Sequence, residues 1–149
     1  MEITINLSGT KALIEKFNKL EAKLKNFSPE FRTIGSYLTS YFSSEVFLSR
    51  GSVLGNPWAP LAESTLKEKM KKYPGRGPLE ASGDMRNEFR SDEGPMELKI
   101  TNASPHFKYH QSKLPRKSNL PRRVMLGFNG TIKTKIKDVF TEGISRVIQ

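Results

Sequence analysis

Three long stretches of the sequence repeat apolar residues every three or four positions. They cover residues 10–25, residues 28–48 and the C-terminal stretch from Ile132 onward. This spacing places the apolar side chains on one face of an α-helix. The apolar positions are Leu13, Phe17, Leu20 and Leu24 in the first stretch, Phe31, Ile34, Leu38, Phe42 and Val46 in the second, and Ile132, Ile136, Val139, Phe140, Ile144 and Val147 in the third. Any fold of this chain must therefore cover three helix faces.

The apolar face of the second stretch is wider than one core contact needs. Tyr37, Tyr41 and Phe47 lie beside its main stripe. Two interpretations stay open: a helix buried on most of its surface, or a helix that also contacts another subunit.

Shorter segments alternate apolar and polar residues, which is typical of a half-buried β-strand. Residues 3–7 and 96–101 follow this pattern, and the apolar run 124–128 is a third candidate strand, bounded by Asn129-Gly130. A basic helix is predicted over residues 61–72. A further helical segment is predicted over residues 79–89.

Glycine and proline mark the loops between these elements. The sequence RGSVLGNPWAP at 50–60 contains two glycines and two prolines around Trp58, which predicts a loop that fixes this indole against the core. A second extended loop is predicted over residues 111–121. The elements together predict an α+β fold: a small, mostly antiparallel sheet packed by long amphipathic helices, in a single domain over residues 1–149.

The charge distribution is uneven. The chain has a formal net charge of +10, and the stretch 98–137 contains ten cations and no Asp or Glu. We call this stretch the basic block. It attracts nucleic acid, an acidic protein face or a membrane surface, or it is a solvated face without a dedicated ligand. No apolar run approaches the roughly 20 residues of a membrane span, so we expect no membrane partner.

Candidate enzymatic sites lack the groups that chemistry requires. The chain has no cysteine. We expect a non-helical stretch after Pro105, and His106 and His110 within it have no carboxylate in their window to complete a metal site. The carboxylates of Glu80, Asp84 and Glu88 recur every four residues beside arginines, as on a solvated helix face. The glycines of Gly75-Arg76-Gly77 lack the Lys-Ser/Thr of a P-loop. We therefore expect a non-enzymatic protein with no catalytic, cofactor or metal site.

Four short segments combine residue types that these general patterns do not explain. They are Trp58-Ala59-Pro60-Leu61 with Thr65 and Lys69; Leu79 with Ser82-Gly83-Asp84-Met85-Arg86; Phe107-Lys108-Tyr109-His110-Gln111; and Pro121-Arg122-Arg123 leading into Leu126-Gly127. In this order they resemble the phage virion morphogenesis family, which supplies tail-completion and head-tail joining proteins of tailed bacteriophages. The resemblance covers about residues 55–130. It departs from the family pattern at Ser112-Lys113, where a glycine is expected, so we expect the loop after Gln111 to take a different path from that of the family.

The resemblance implies a structural role. The chain would be a neck subunit, a tail-completion or tail-terminator or head-tail joining protein, and would form a ring of identical copies, for which we expect a hexamer. Its partners would be neighbouring neck, connector or tail-tube proteins, with DNA passing through the lumen of the ring. The protein would be made in the host cytoplasm and located in the virion, and no cofactor is implied.

The same resemblance supplies candidate assembly residues. They are Trp58, Leu61, Tyr109, His110, Gln111, Arg116, Lys117, Arg122 and Arg123. Trp58 and Leu61 would hold the long loop on the core, and residues 109–111 would form a polar ledge for a neighbouring segment. We expect the heads of Arg122 and Arg123 to lie in solvent at a strand edge, where they contribute to assembly more than to folding.

A basic nucleic-acid-binding protein of a phage or bacterium is the alternative interpretation. Phe107 and Tyr109 could stack on bases while the surrounding cations contact phosphates. However, the sequence contains no helix-turn-helix, zinc-finger or RNP-like motif, and the aromatic residues precede the main cationic loop. A steep loss of affinity for heterologous DNA with added salt would favour this alternative.

Overall fold

A computed structural model describes residues 9–113 and 120–149. Its elements are α1 (Thr10–Leu24), α2 (Ser28–Ser43), α3 (Glu45–Leu48), a short 3-10 helix (Ser52–Leu54), α4 (Glu63–Lys72), α5 (Asp84–Asn87), β1 (Phe89–Glu93), β2 (Leu98–Asn102), α6 (Phe107–Gln111) and α7 (Gly130–Ile148). The predicted α+β class is confirmed. The strand predicted at 3–7 lies outside the described residues.

Helix α2 is the centre of the structure. Its apolar stripe Ile34, Leu38 and Phe42 is buried, and Val46 and Phe47 of α3 continue it. The sheet and α7 both pack against α2. The resulting core also includes Leu54, Trp58, Phe89, Val124, Met125 and Ile132. Segments from residue 34 to residue 132 thus share one contiguous core.

The sheet is an antiparallel hairpin of β1 and β2, in which Phe89 is opposite Asn102 and Glu93 is opposite Leu98. It approaches α2 closely at Gly35. A Cβ atom at that glycine would lie 2.8 Å from Oε1 of Glu93 and 2.9 Å from Cβ of Ser91. The missing side chain of Gly35 is therefore what lets β1 pack directly on the helix.

Three local predictions are wrong. Of residues 79–89 only 84–87 are α-helical, and Phe89 begins β1, because its ring packs against Phe42, Phe47 and Phe107 in the core. Within the described chain no strand pairs with residues 124–128, whose backbone has other partners. The stretch after Pro105, expected to be irregular, forms α6.

Asn129 fixes the start of α7 on α2. Its Oδ1 caps the helix by accepting a hydrogen bond from N of Ile132 at 2.9 Å. Its Nδ2 donates to the hydroxyl of Tyr41 at 2.8 Å and to the carbonyl oxygen of Val53 at 2.7 Å. One amide side chain therefore both caps α7 and sets its position.

The other end of α7 lies close to Glu30 at a glycine. Gly143 is buried, and a Cβ atom there would lie 2.1 Å from Oε1 of Glu30 and 2.9 Å from its Cγ. The carboxylate of Glu30 is itself buried and pairs with Nζ of Lys23 in α1. The small residue at position 143 thus makes room for the ion pair that connects α1 to α2.

Helix α1 lies along the outer part of α7. Its Lys16 Nζ donates to the carbonyl oxygens of Ile148 at 3.2 Å and Gln149 at 3.3 Å, whereas Lys23 is beside Glu30 and hence near Gly143. The two helices therefore run antiparallel, and the N-terminal turns of α1 extend past the end of α7. None of the fifteen residues of α1, all of them described, is buried.

Replacing Gly143 by alanine should destabilise the fold by about 1 to 3 kcal/mol, because Glu30 must move out of its pocket and leave Lys23. Gly130→Ala is the matched control, since it changes the same residue type in the same helix and a Cβ there meets nothing within 4 Å. The control should shift stability by less than about 0.5 kcal/mol. Chemical denaturation of the two variants measures the difference, and equal stabilities would contradict this role of Gly143.

Candidate assembly site

The backbone of residues 123–126 is hydrogen-bonded by groups that come from distant parts of the sequence. Oε1 of Gln111 accepts from N of Met125 at 2.8 Å and from N of Leu126 at 3.0 Å, and Nε2 of Gln111 donates to the Leu126 carbonyl at 2.7 Å. The N–H of Arg123 donates to the His110 carbonyl at 3.0 Å. The end of α6 thus takes the place of the neighbouring strand that the pattern at 124–128 predicts.

Trp58 holds the same segment from the other side. Its Nε1 donates to the Val124 carbonyl at 2.8 Å, and its ring meets Phe47 edge-on at 5.2 Å. The indole is 7% exposed. It lies over Gly51, which has a positive φ of 80° and where a Cβ would come 2.4 Å from Nε1. The loop at 50–60 is therefore shaped to admit this one aromatic side chain.

Arg123 points inward and is only 4% exposed. Its guanidinium donates to the Ala59 carbonyl through Nε at 3.1 Å and Nη2 at 2.9 Å, and Nη2 also lies 3.3 Å from the Pro60 carbonyl. No carboxylate of residues 9–113 or 120–149 forms a salt bridge with it. Burial lowers the pKa of Arg123, because the charged form loses its hydration.

Trp58, Gln111 and Arg123 are thus brought together from three of the four segments singled out in the sequence. We call these three residues the signature cluster. They lock the loop 50–60, the end of α6 and the segment 123–126 to one another. This arrangement holds chain segments in place through neutral and cationic hydrogen-bond donors.

The fourth segment forms a separate polar network at the end of α2. Nε of Arg86 donates to the Ser43 carbonyl at 2.8 Å, and its Nη1 pairs with Oε1 of Glu80 at 3.1 Å. Oε2 of Glu80 accepts from N of Gly77 at 3.0 Å, and Lys69 donates to the Gly77 carbonyl. Burial lowers the pKa of Lys69, although Glu80 opposes this shift. The network closes the loop 75–83 against the body.

This network also accounts for the candidate catalytic carboxylates. Glu80 is committed to Arg86, Glu88 lies 3.5 Å from Arg90, and Asp84 accepts from the hydroxyl of Ser82 at 2.7 Å. In the described part of the chain, no group of three His, Asp or Glu residues could hold a metal ion. The three carboxylates are therefore structural partners of nearby donors.

The candidate assembly residues fall into different environments. The buried residues are Trp58, His110 and Arg123. Leu61 and Gln111 are half-buried, and Tyr109 and Arg122 are exposed. The expectation that Arg123 presents its head to solvent is wrong, because the carbonyls of residues 59 and 60 draw the guanidinium inward. The expectation is correct for Arg122. Arg116 and Lys117 lie outside the described residues.

The basic block is largely exposed. The described cations of this stretch that face solvent are Lys99, Lys108, Lys113, Arg122, Lys133, Lys135 and Lys137. None of them forms a salt bridge with a residue that the structure describes. Lys108 and Lys135 lie over the rings of Tyr109 and Tyr37 at 5.2 and 5.8 Å. The block therefore presents positive charge on the N-terminal half of α7 and around α6.

The sequence interpretation missed one surface. The pattern of α1 predicts an apolar face that is covered, yet Leu13, Ile14 and Phe17 remain 55%, 58% and 61% exposed. The only local signal is that this helix carries many lysines and lies at one end of the chain, which does not distinguish a buried from an exposed stripe. An exposed apolar face of this kind is typical of an interaction surface.

Comparison with known families decides the relationship. The model of the phage virion morphogenesis family matches residues 9–145. The chain belongs to the phage virion morphogenesis family. This match confirms the resemblance that the four segments indicate. Since the family has structural and assembly roles in phage particles, the protein is a bacteriophage virion assembly protein.

Other comparisons add no further relatives. No curated protein and no solved structure matches this member of the virion morphogenesis family with significant similarity. None of the helices in the described chain combines the length and the apolar character that a transmembrane span requires.

The signature cluster of this virion protein should act in folding. Arg123→Ala should lower the free energy of unfolding by about 2 to 3 kcal/mol, because it removes the charged donor from the carbonyls of residues 59 and 60. Its neighbour provides the control: Arg122→Ala alters an exposed side chain and should change stability by less than about 0.5 kcal/mol. Thermal unfolding followed by circular dichroism compares the two. Equal melting temperatures would show that Arg123 does not hold the loop.

Proposed function

We propose that this protein is a structural subunit at the neck or tail end of a tailed-phage particle, acting in tail completion or head-tail joining. It contributes one folded domain to a ring of identical copies, and six is the subunit number that the resemblance implies. In this role the protein works by binding and performs no catalysis. Its membership of the virion morphogenesis family supports the general role, and its exposed surfaces support the assembly.

The apolar face of α1 is the observation that carries the proposal. Phe17, Leu13 and Ile14 are each more than half exposed, although a side chain of this size gains about 1.5 to 3 kcal/mol when it is fully buried. A helix with this face needs a protein surface to cover it. Such a surface is supplied when the subunit assembles.

The charge distribution favours copies of the same chain as neighbours. Residues 80–97 contain six carboxylates, whereas the basic block contains none. On these two stretches, Asp92 and Glu97 are exposed on the hairpin and Lys133, Lys135 and Lys137 are exposed on α7. A ring is built from head-to-tail contacts between two different faces of the subunit. Contact between the acids of the hairpin in one copy and the lysines of α7 in the next would select that arrangement over a face-to-face dimer.

Replacing the α1 face should separate assembly from folding. The triple variant Leu13→Gln, Ile14→Gln, Phe17→Gln should keep the circular dichroism spectrum of the parent, since these residues are exposed in the subunit. Its self-association constant should fall at least about 100-fold, because roughly 3 kcal/mol or more of apolar burial is lost at each contact. Sedimentation velocity and native mass spectrometry measure the oligomer and count its subunits.

A second triple variant on exposed apolar side chains elsewhere is the control. Leu48→Gln, Leu66→Gln, Met70→Gln changes residues of α3 and α4 that are also exposed. This control should assemble like the parent. If both triple variants assemble equally well, or if the parent is a monomer at all concentrations, α1 is not an assembly surface.

Nucleic-acid binding is the second candidate, favoured by the exposed cations of the basic block, seven of which are described and form no salt bridge with a described residue. The variant Lys133→Gln, Lys135→Gln, Lys137→Gln tests it against Lys67→Gln, Lys71→Gln, Lys72→Gln, whose lysines are exposed on α4 outside the block. We expect the α7 variant to weaken assembly and to leave the salt dependence of DNA binding unchanged. A slope of log affinity on log salt that falls by about one per lysine only in the α7 variant would favour a DNA contact instead.

A further inference from the structure

An apolar groove of about 550 Å³ runs beside β2. Helices α2 and α7 form its floor through residues such as Ile34, Leu38 and Phe140, and Leu98 and Ile100 of β2 line one side. The segment 126–128 lines the opposite side. Two exposed apolar side chains stand at the rim, Met96 at 62% and Phe128 at 69% exposure. This volume is in the range of sites that hold a ligand or a few side chains of a peptide.

The groove lies along an unpaired strand edge. Strand β1 occupies one edge of β2, and in the described chain no strand occupies the other. Every second residue of β2 therefore directs its N–H and C=O groups away from β1, on the side where the segment 126–128 forms the far wall. A segment that extends the sheet here would gain backbone hydrogen bonds from β2. It would also direct alternate side chains onto α2 and α7.

Residues 3–7 have the pattern that such a site requires. Ile3, Ile5 and Leu7 alternate with Thr4 and Asn6, so one side of the predicted strand is apolar throughout. A two-stranded hairpin has room for a third strand, and the groove supplies an apolar floor for one side of it. The segment that fills the groove could belong to the same chain or to a second copy.

The direction of α1 excludes the chain's own segment. Phe27, just after α1, packs on Phe140 at the near end of the groove, with ring centroids 5.2 Å apart. From Phe27, α1 runs away from the groove toward Ile148. At 1.5 Å per residue, the length of α1 places Thr10 about 21 Å from the near end of the groove. Residue 7 is within about 10 Å of Thr10 even in an extended chain. A strand over residues 3–7 of the same chain therefore cannot lie along the groove.

We propose that residues 3–7 of one copy add a strand to the free edge of β2 in the next copy, with Ile3, Ile5 and Leu7 in the groove. This inference rests on the proposed self-assembly and names the contact that closes it. Helix α1 then bridges two subunits, since its C-terminal end is fixed on its own α2 and its N-terminal end leads into the neighbour. Its exposed apolar face lies over the junction.

The absence of cysteine makes cross-linking a clean test. Chains carrying Leu98→Cys are mixed with chains carrying Ile3→Cys, Ile5→Cys or Leu7→Cys and are then oxidised. A disulfide needs Cβ atoms about 3.5 to 4.5 Å apart, which neighbouring strands provide only for residues on the same side. We expect a covalent pair of chains with at least one of the three. Lys99→Cys, which is exposed on the opposite side of β2, is the control and should give no more than unmixed chains.

The outcomes separate this inference from the proposed function. Assembly without cross-linking would overturn the strand addition and leave the ring standing, whereas monomers that do not cross-link would overturn both. A monomeric disulfide in the double variant Ile5→Cys, Leu98→Cys would show that the segment folds onto its own groove and would also overturn the inference.

A peptide competition covers the case in which cysteine variants fail to fold. A peptide of residues 1–9 in excess should dissociate assemblies of the unmodified full-length chain, seen as a loss of the oligomer in sedimentation. The same peptide with Ile3→Asn, Ile5→Asn and Leu7→Asn is the control and should leave the oligomer intact. Equal effects of the two peptides, or no effect of either, would contradict insertion into the groove.

Discussion

The structure depends on how the backbone of residues 123–126 is satisfied. An extended segment inside a core must pair its N–H and C=O groups, and within the described chain no strand is available to it. Gln111 supplies an amide that both donates and accepts, and Trp58 supplies one further donor. Because this segment leads through Asn129 into α7, it also fixes α7 on α2. Helix α7 in turn supplies part of the floor of the groove and the surface on which α1 packs.

Local sequence patterns predicted those parts of the fold that local spacing determines. The periods of α1, α2 and α7 and the alternation in β2 are properties of neighbouring residues, and the structure confirms these elements. Strand β1 was not predictable, because two of its three inward positions, Ser91 and Glu93, are polar and only Phe89 packs on distant rings in the core. Residues 124–128 have a strand-like pattern, but no local pattern reveals that their partner is a side-chain amide.

In the candidate assembly site, too, the contacts between distant residues were not predictable from local patterns. The resemblance gave Trp58, Gln111 and Arg123 among nine candidate assembly residues, and in the structure Trp58 and Gln111 bind the segment that begins with Arg123. It did not reveal that Arg123 is buried, because the carbonyls that receive it are more than 60 positions away in the chain. For α1 the converse holds: an amphipathic pattern indicates that a face requires cover, whereas only the structure shows that the subunit itself does not provide it. Arg123, expected to act in assembly, thus has a structural role, whereas the face of α1, expected to be covered, is exposed.

The weak attachment of α1 has a kinetic consequence. Helix α1 packs along α7 without a buried residue, and its described polar contacts with the body are made by Lys16 and Lys23. The turns before Lys16 extend beyond α7. A segment held in this way opens at little cost in free energy. An arm that projects about 10 Å from the body enlarges the volume in which a passing copy is captured, and such capture raises association rates above those of rigid docking. Association would then have two steps. The N-terminal turns of α1 would make the first contact, and the remaining surfaces of the two subunits would pack afterwards.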